Sequence, residues 1–418
     1  MRLKAGAGKR QIEIPEEYLA VENFGRVQDP LHARAVVLEL GVRMVLVSLE
    51  VTSVPGEEIG RMREQIAGRL ETAPQNVWVC AVHSFSSPHL MPDSVLKTAE
   101  KIALKEQYRE ALCEAALGAS VDALEQLQDA VLKVGEADCG IVANRDVELP
   151  EGWWVGTGGD GPSDRRVTVL NLESRKGEQI ALIAHFAMQS SVMDQAVLAD
   201  GKKPVTSDVA GNACRIAEEA LGGTVLYLIG AAGDQAPVEK AVQETFRGRE
   251  RIRTDRGEEG FAICRRLAGE LADAMLAAGS AAEALEDGER LRLGTEQVTV
   301  PAKRMLGDVH TLVPVHSYEY PADGEREMEI DAFCIGDLAL LGIKPELNCV
   351  TGREITEGSC FGRTLVCTMV NGGAKYMADA ASYERCSYEA MNSPWNKGAA
   401  ELLCAGSIRL LEHLKNQE

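Results

Sequence analysis

The chain has 418 residues, 45% of them apolar and 26% charged, with a formal net charge of −20. That length favours one large or two closely packed domains, and the acidic balance argues against a nucleic-acid or anionic-membrane partner. No run approaches the roughly 18 apolar residues of an integral membrane segment, the first residues are not a signal peptide, and the eleven cysteines form no CxxC pair. Scattered thiols of this kind read as reduced, so the expected location is cytoplasmic.

In chain order, the glycine-rich Ala5-Gly-Ala-Gly-Lys lacks the spacing of a phosphate loop. Residues 33–40 and 43–49 read as a hairpin around Gly41, 55–70 as a helix, and 77–82 as a strand. A helical region is expected over 95–132, then a polar turn at Asn144-Arg145-Asp146 after a short strand. Trp153-Trp154 and residues 156–161 read as a loop, either closing over a site or solvated. Residues 167–172 and 180–187 pair as strands, a helix opens near Ser207-Asp208, and 225–229 is a buried strand. The charge-dense stretch 243–260 is expected to be exposed, 261–276 helical, and 278–289 a junction. Strands follow at 291–300, 329–333, 338–343 and 365–370, with a closing helix over 397–414. The pattern predicts an α/β chain of mixed β-sheets flanked by helices. Residues 1–285 form the main part, and a β-rich part, 286–418, packs on it and completes the same site.

One layout recurs, an apolar strand ending in a tight polar turn. It presents His83, Gln189, Asp234 and Glu346, and lies near Tyr376. Only seven histidines occur in the chain, and His83 and His89 fall together after one strand. Strand ends are where ligands collect in α/β sheets, and a histidine there ligates metal or moves protons. Each residue also has a plain structural reading: His83 tied to its own loop, Asp208 a helix cap, Asp234 a turn residue. The charged Glu346, at the end of an apolar strand, needs a partner.

The order of these pieces resembles the neutral/alkaline (non-lysosomal) ceramidases, in their N-terminal catalytic domain. The resemblance is carried by Asp29-Pro-Leu-His-Ala-Arg-Ala35, Ala81-Val-His83-Ser-Phe85-Ser-Ser-Pro88, Ala143-Asn-Arg145, and Ile180-Ala-Leu-Ile-Ala-His-Phe-Ala187. It continues through Ser207-Asp208, Gly230-Ala-Ala-Gly-Asp234, Pro345-Glu346, and Asn371-Gly372 with Tyr376. It does not extend to the immunoglobulin-like C-terminal domain of the larger ceramidases. It implies a zinc amidase acting on N-acyl bonds, with the metal at His83, Gln189, Glu346 and Tyr376. Arg145, Tyr376 and Asp234 would serve catalysis, and the partner would be a small-molecule or amphiphilic amide substrate.

Two positions depart from the family. Gln189 stands where a metal-binding histidine is implied, and Phe85 replaces a histidine implied to assist proton transfer. An amide oxygen in place of imidazole tilts the site towards a harder divalent ion, or empties it. His89 and His185 are the nearest substitutes for the lost nitrogen. Two readings stay open: a metal-dependent amide hydrolase, and a degenerate relative that binds a small ligand without turnover.

Overall fold

The computed structural model describes residues 2–285 and 290–417, so residues 286–289 of the expected junction lie outside the described residues. Two β-sheets pack face to face. The larger runs, in spatial order, Thr224–Ile229, Gln179–Phe186, Arg166–Ser174, Gln128–Asp138, Lys4–Gln11, His32–Leu40, Val42–Leu49 and Val77–Ala81. The smaller consists of Leu291–Lys303, Ala322–Ile335, Leu338–Ile343 and Arg363–Cys367. Their facing sides interlock: Val36, Leu46 and Trp78 from one sheet share a core with Phe333, Leu338 and Leu340 from the other. Helices cover both outer faces. Gly56–Arg69, Ala99–Glu125, Asp208–Leu221 and Gly260–Ser280 lie on the larger sheet, Cys349–Gly358 and Ala399–Lys415 on the smaller. The result is a four-layer helix–sheet–sheet–helix arrangement, and it agrees with the expected mixed sheets flanked by helices.

Local chemistry explains most elements. His32–Leu40 and Val42–Leu49 pair antiparallel about Gly41, whose φ of 80° suits a glycine turn. Thr98 caps Ala99–Glu125, its hydroxyl accepting from Lys101 N–H. That helix stops well before residue 132. Ala130, Leu132 and Val134 are buried at every second position, the period of a strand, and belong to Gln128–Asp138. The Trp-Trp segment is a strand, Gly152–Gly159, paired antiparallel with Val142–Leu149. Arg145 therefore sits within a strand rather than on a turn. The charged stretch forms the hairpin Val242–Arg247 and Glu250–Asp255, mostly exposed as expected. All eleven cysteines are unpaired. Among the described residues no helix is long and apolar enough to cross a membrane.

Candidate active site

Parallel pairing places the site. Val77–Ala81 runs parallel to Val42–Leu49, and Gln179–Phe186 parallel to Thr224–Ile229. The loops after Ala81 and Phe186 are then joined by a bridge between Ser84 and Ser190, which sets His83 beside Gln189. From the smaller sheet, the two-residue strands Glu346–Leu347 and Tyr376–Met377 pair in parallel with Glu346 opposite Tyr376. Four residues distant in sequence thus meet, all of them buried.

His83 adopts a left-handed backbone, φ 61°, uncommon for a residue with a Cβ. Its Nδ1 donates to Thr52 O at 2.6 Å, leaving Nε2 facing Glu346 Oε2 at 3.0 Å. That approach is close but not aligned as a hydrogen bond. A neutral imidazole would set two lone pairs against each other there, so a positive charge is favoured between them. Burial pulls the imidazole pKa down, but the Glu346 carboxylate and the Thr52 carbonyl outweigh it, and the net direction is up. Phe85 packs edge-on against the His83 ring, 4.5 Å between centroids.

Gln189 is gripped at both ends. Its Nε2 donates to Glu346 Oε2 at 2.6 Å, and its Oε1 accepts from Arg145 at 2.5 Å. Reversing the amide would set oxygen against carboxylate and NH2 against guanidinium, so its neighbours fix the orientation. Arg145 is itself clamped. Its Nε and a terminal nitrogen both donate to Glu389 Oε1, at 2.9 and 2.6 Å, and the guanidinium lies over the Tyr376 and Tyr388 rings at 5.2 and 6.0 Å. Burial and the adjacent Glu346 carboxylate raise the Tyr376 phenol, which stays protonated. Asp146 lies against Glu389, and burial together with that carboxylate drives its carboxyl far up.

Asp234 stands behind this cluster. Its carboxylate accepts from Asn144 Nδ2, Gln235 Nε2 and Cys349 N–H, and burial pushes its pKa up to about 6. Ser207 makes no side-chain cap; Asp208 instead accepts from the Val192 and Met193 N–H groups, holding the loop after Gln189. His89 pairs with Glu22, and His185 donates from Nε2 to Val366 O beside a separate small cleft. Neither makes a hydrogen bond or ion pair with a residue of the cluster, although His89 lines the same cavity as Gln189.

Sequence reasoning missed the part played by Glu389, a fully buried acid on the short helix Tyr388–Met391. The available signal was a charged residue set against Ala390 and Met391, where burial of a carboxylate demands a cationic partner.

A catalytic zinc ordinarily takes three protein ligands. His83 Nε2 and Glu346 supply two suitable donors. The Gln189 oxygen is turned to Arg145, its NH2 cannot ligate, and the Arg145 guanidinium beside Tyr376 opposes a dication. Among the described residues no three His, Cys, Asp or Glu side chains gather to hold a metal. This donor set does not fit zinc.

Three members of the cluster, Arg145, Gln189 and Tyr376, line a cavity of about 740 Å³ whose walls include Phe85, Trp154 and Tyr388. The 242–255 hairpin contributes Glu244, Arg251 and Arg253 to its lining, with Arg251 lying over Trp154 and Phe246. A neutral ceramidase from Pseudomonas aeruginosa superposes with a TM-score of 0.72 at 18% identity, covering 99% of this chain and 75% of that one. The fold is that of neutral ceramidase. A ceramidase complexed with C2 superposes at a TM-score of 0.74 and 17% identity, covering 99% of this chain and 76% of that one. No family model matches the chain. No curated protein matches it in sequence. The likeness to ceramidase is therefore one of fold, and the cluster sits within that fold at the carboxyl ends of parallel strands.

Proposed function

We propose that this chain is a ceramidase-like hydrolase that opens the amide (N-acyl) bond of a small amphiphilic substrate. One observation carries the reading: Arg145, Gln189 and Tyr376, the accessible members of a buried polar cluster, line a large, partly aromatic cavity in the ceramidase fold. The substrate's apolar portion would lie against Trp154 and Tyr388, with its carbonyl towards Arg145 and the protonated Tyr376. Both groups donate to the oxygen on which negative charge develops when water adds to the carbonyl. The His83–Glu346 pair would take the water's proton and return it to the departing nitrogen.

Binding without turnover is the second reading. It is favoured by the Phe85 ring seated on His83 and by the engagement of Gln189 at both ends. Incubating the purified protein with N-acyl amino alcohols of short and medium chain, and measuring both the released acid and the bound amide, separates the two. Acid release that falls to background in Arg145→Met supports hydrolysis. Retention of intact amide without release supports the second reading, and neither release nor retention would exclude both.

A further inference from the structure

The cluster already holds an amide. Gln189 presents a carboxamide whose oxygen meets the Arg145 guanidinium at 2.5 Å and whose nitrogen meets the Glu346 carboxylate at 2.6 Å. The two partners are anchored independently of Gln189. Glu389 holds Arg145 through two hydrogen bonds, and the parallel pairing with Tyr376 and the His83 contact hold Glu346. A fixed cationic donor and a fixed anionic acceptor set one side chain apart form a receptor matched to a group that both accepts and donates. A carboxylate has no N–H for Glu346, and an ammonium has no acceptor for Arg145.

We propose that Arg145 and Glu346 form a carboxamide-binding site and that Gln189 is its built-in occupant, which a ligand's amide must displace from the cavity side. Gln189 is almost wholly buried yet lines the cavity together with Arg145, whereas Glu346 does not, so a ligand entering there meets the Gln189 amide before Glu346. This holds whether or not the bound amide is cut.

Chemical complementation tests it. Gln189→Ala removes the carboxamide and leaves a gap between Arg145 and Glu346. Acetamide is expected to raise the melting temperature of Gln189→Ala, saturably and by several degrees, with little effect on the wild type. Acetate and methylammonium at equal concentration are expected to give no comparable rise. Gln189→Met, which fills the gap without an amide, should not respond to acetamide. If Gln189→Ala is recovered only as aggregate, the yield of folded protein on refolding with acetamide against acetate reads the same preference. Equal rescue by acetamide and acetate, or rescue by neither, overturns the proposal. Because no turnover is measured, a missing hydrolase activity leaves this result intact.

Discussion

At the residue scale, the site turns on charges that are buried and paired. Glu389 accepts two hydrogen bonds from Arg145, and removing one partner of such a pair strands the other charge away from water. Glu389→Ala is expected to lose about 3–5 kcal/mol of stability, measured by urea denaturation. Glu389→Gln should lose less, because its amide oxygen still accepts from Arg145. Asp234 supplies a pH dependence. Burial raises its folded pKa from 3.8 to about 6, so its contribution is fully present below the unfolded value and is lost as pH rises through the folded one. Stability of the wild type relative to Asp234→Asn should therefore fall between about pH 4 and pH 7, by on the order of 3 kcal/mol. Denaturation midpoints across that range check it, and parallel profiles for the two proteins would overturn the assignment. The raised His83 works in the same direction, since stability from its contact with Glu346 is also lost as pH rises.

At the scale of elements, close approach between strand and helix sets tight local limits. Lys4–Gln11 lies against Ala99–Glu125 so closely that a Cβ on Gly6 would stand 2.0 Å from Ala123 O. Gly6→Ala forces backbone apart from backbone and should cost roughly 1–3 kcal/mol. Gly269, within Gly260–Ser280, has nothing within 4 Å of an added Cβ. Gly269→Ala should instead add up to about 1 kcal/mol, the helix preference of alanine over glycine. Opposite shifts in urea midpoint are the expected result; equal shifts would contradict the packing described.

At the scale of the molecule, the two sheets are halves of one core. Trp78 of the larger sheet is buried with Phe333 and Leu340 of the smaller, and Glu346 and Tyr376 reach the site from the C-terminal side. Residues 290–418 expressed alone would expose that apolar face to water. They are expected to bind a hydrophobic dye and to lack a cooperative melt, whereas the intact chain melts in one transition that tryptophan fluorescence follows. An independent cooperative melt of the fragment would show that the sheets do not depend on each other.

How much of this was legible in the sequence depended on whether the signal was local. Strands such as 77–82 and the hairpin about Gly41 were readable because short, continuous apolar runs rich in β-branched residues and a glycine turn are written in neighbouring residues. The helix expected over 95–132 overran because a short apolar run such as Ala130-Val131-Leu132 does not by itself separate helix from strand, and only pairing with Arg166–Ser174 and Lys4–Gln11 claimed its last residues for a strand. His83, Gln189, Glu346, Tyr376 and Arg145 were picked out as residues, from polar turns after apolar strands and from a family resemblance. Their relations were not. That Gln189 faces Arg145 with its oxygen and Glu346 with its nitrogen, and that Glu389 clamps Arg145 from 244 positions away, follows from sheets and loops converging in space. The sequence by itself determined which side chains carry charge and which segments are apolar, because both are properties of residues and their neighbours. Only the tertiary structure decided which charges are buried together, because pairing energy depends on distance and desolvation, and neither exists before the chain has folded.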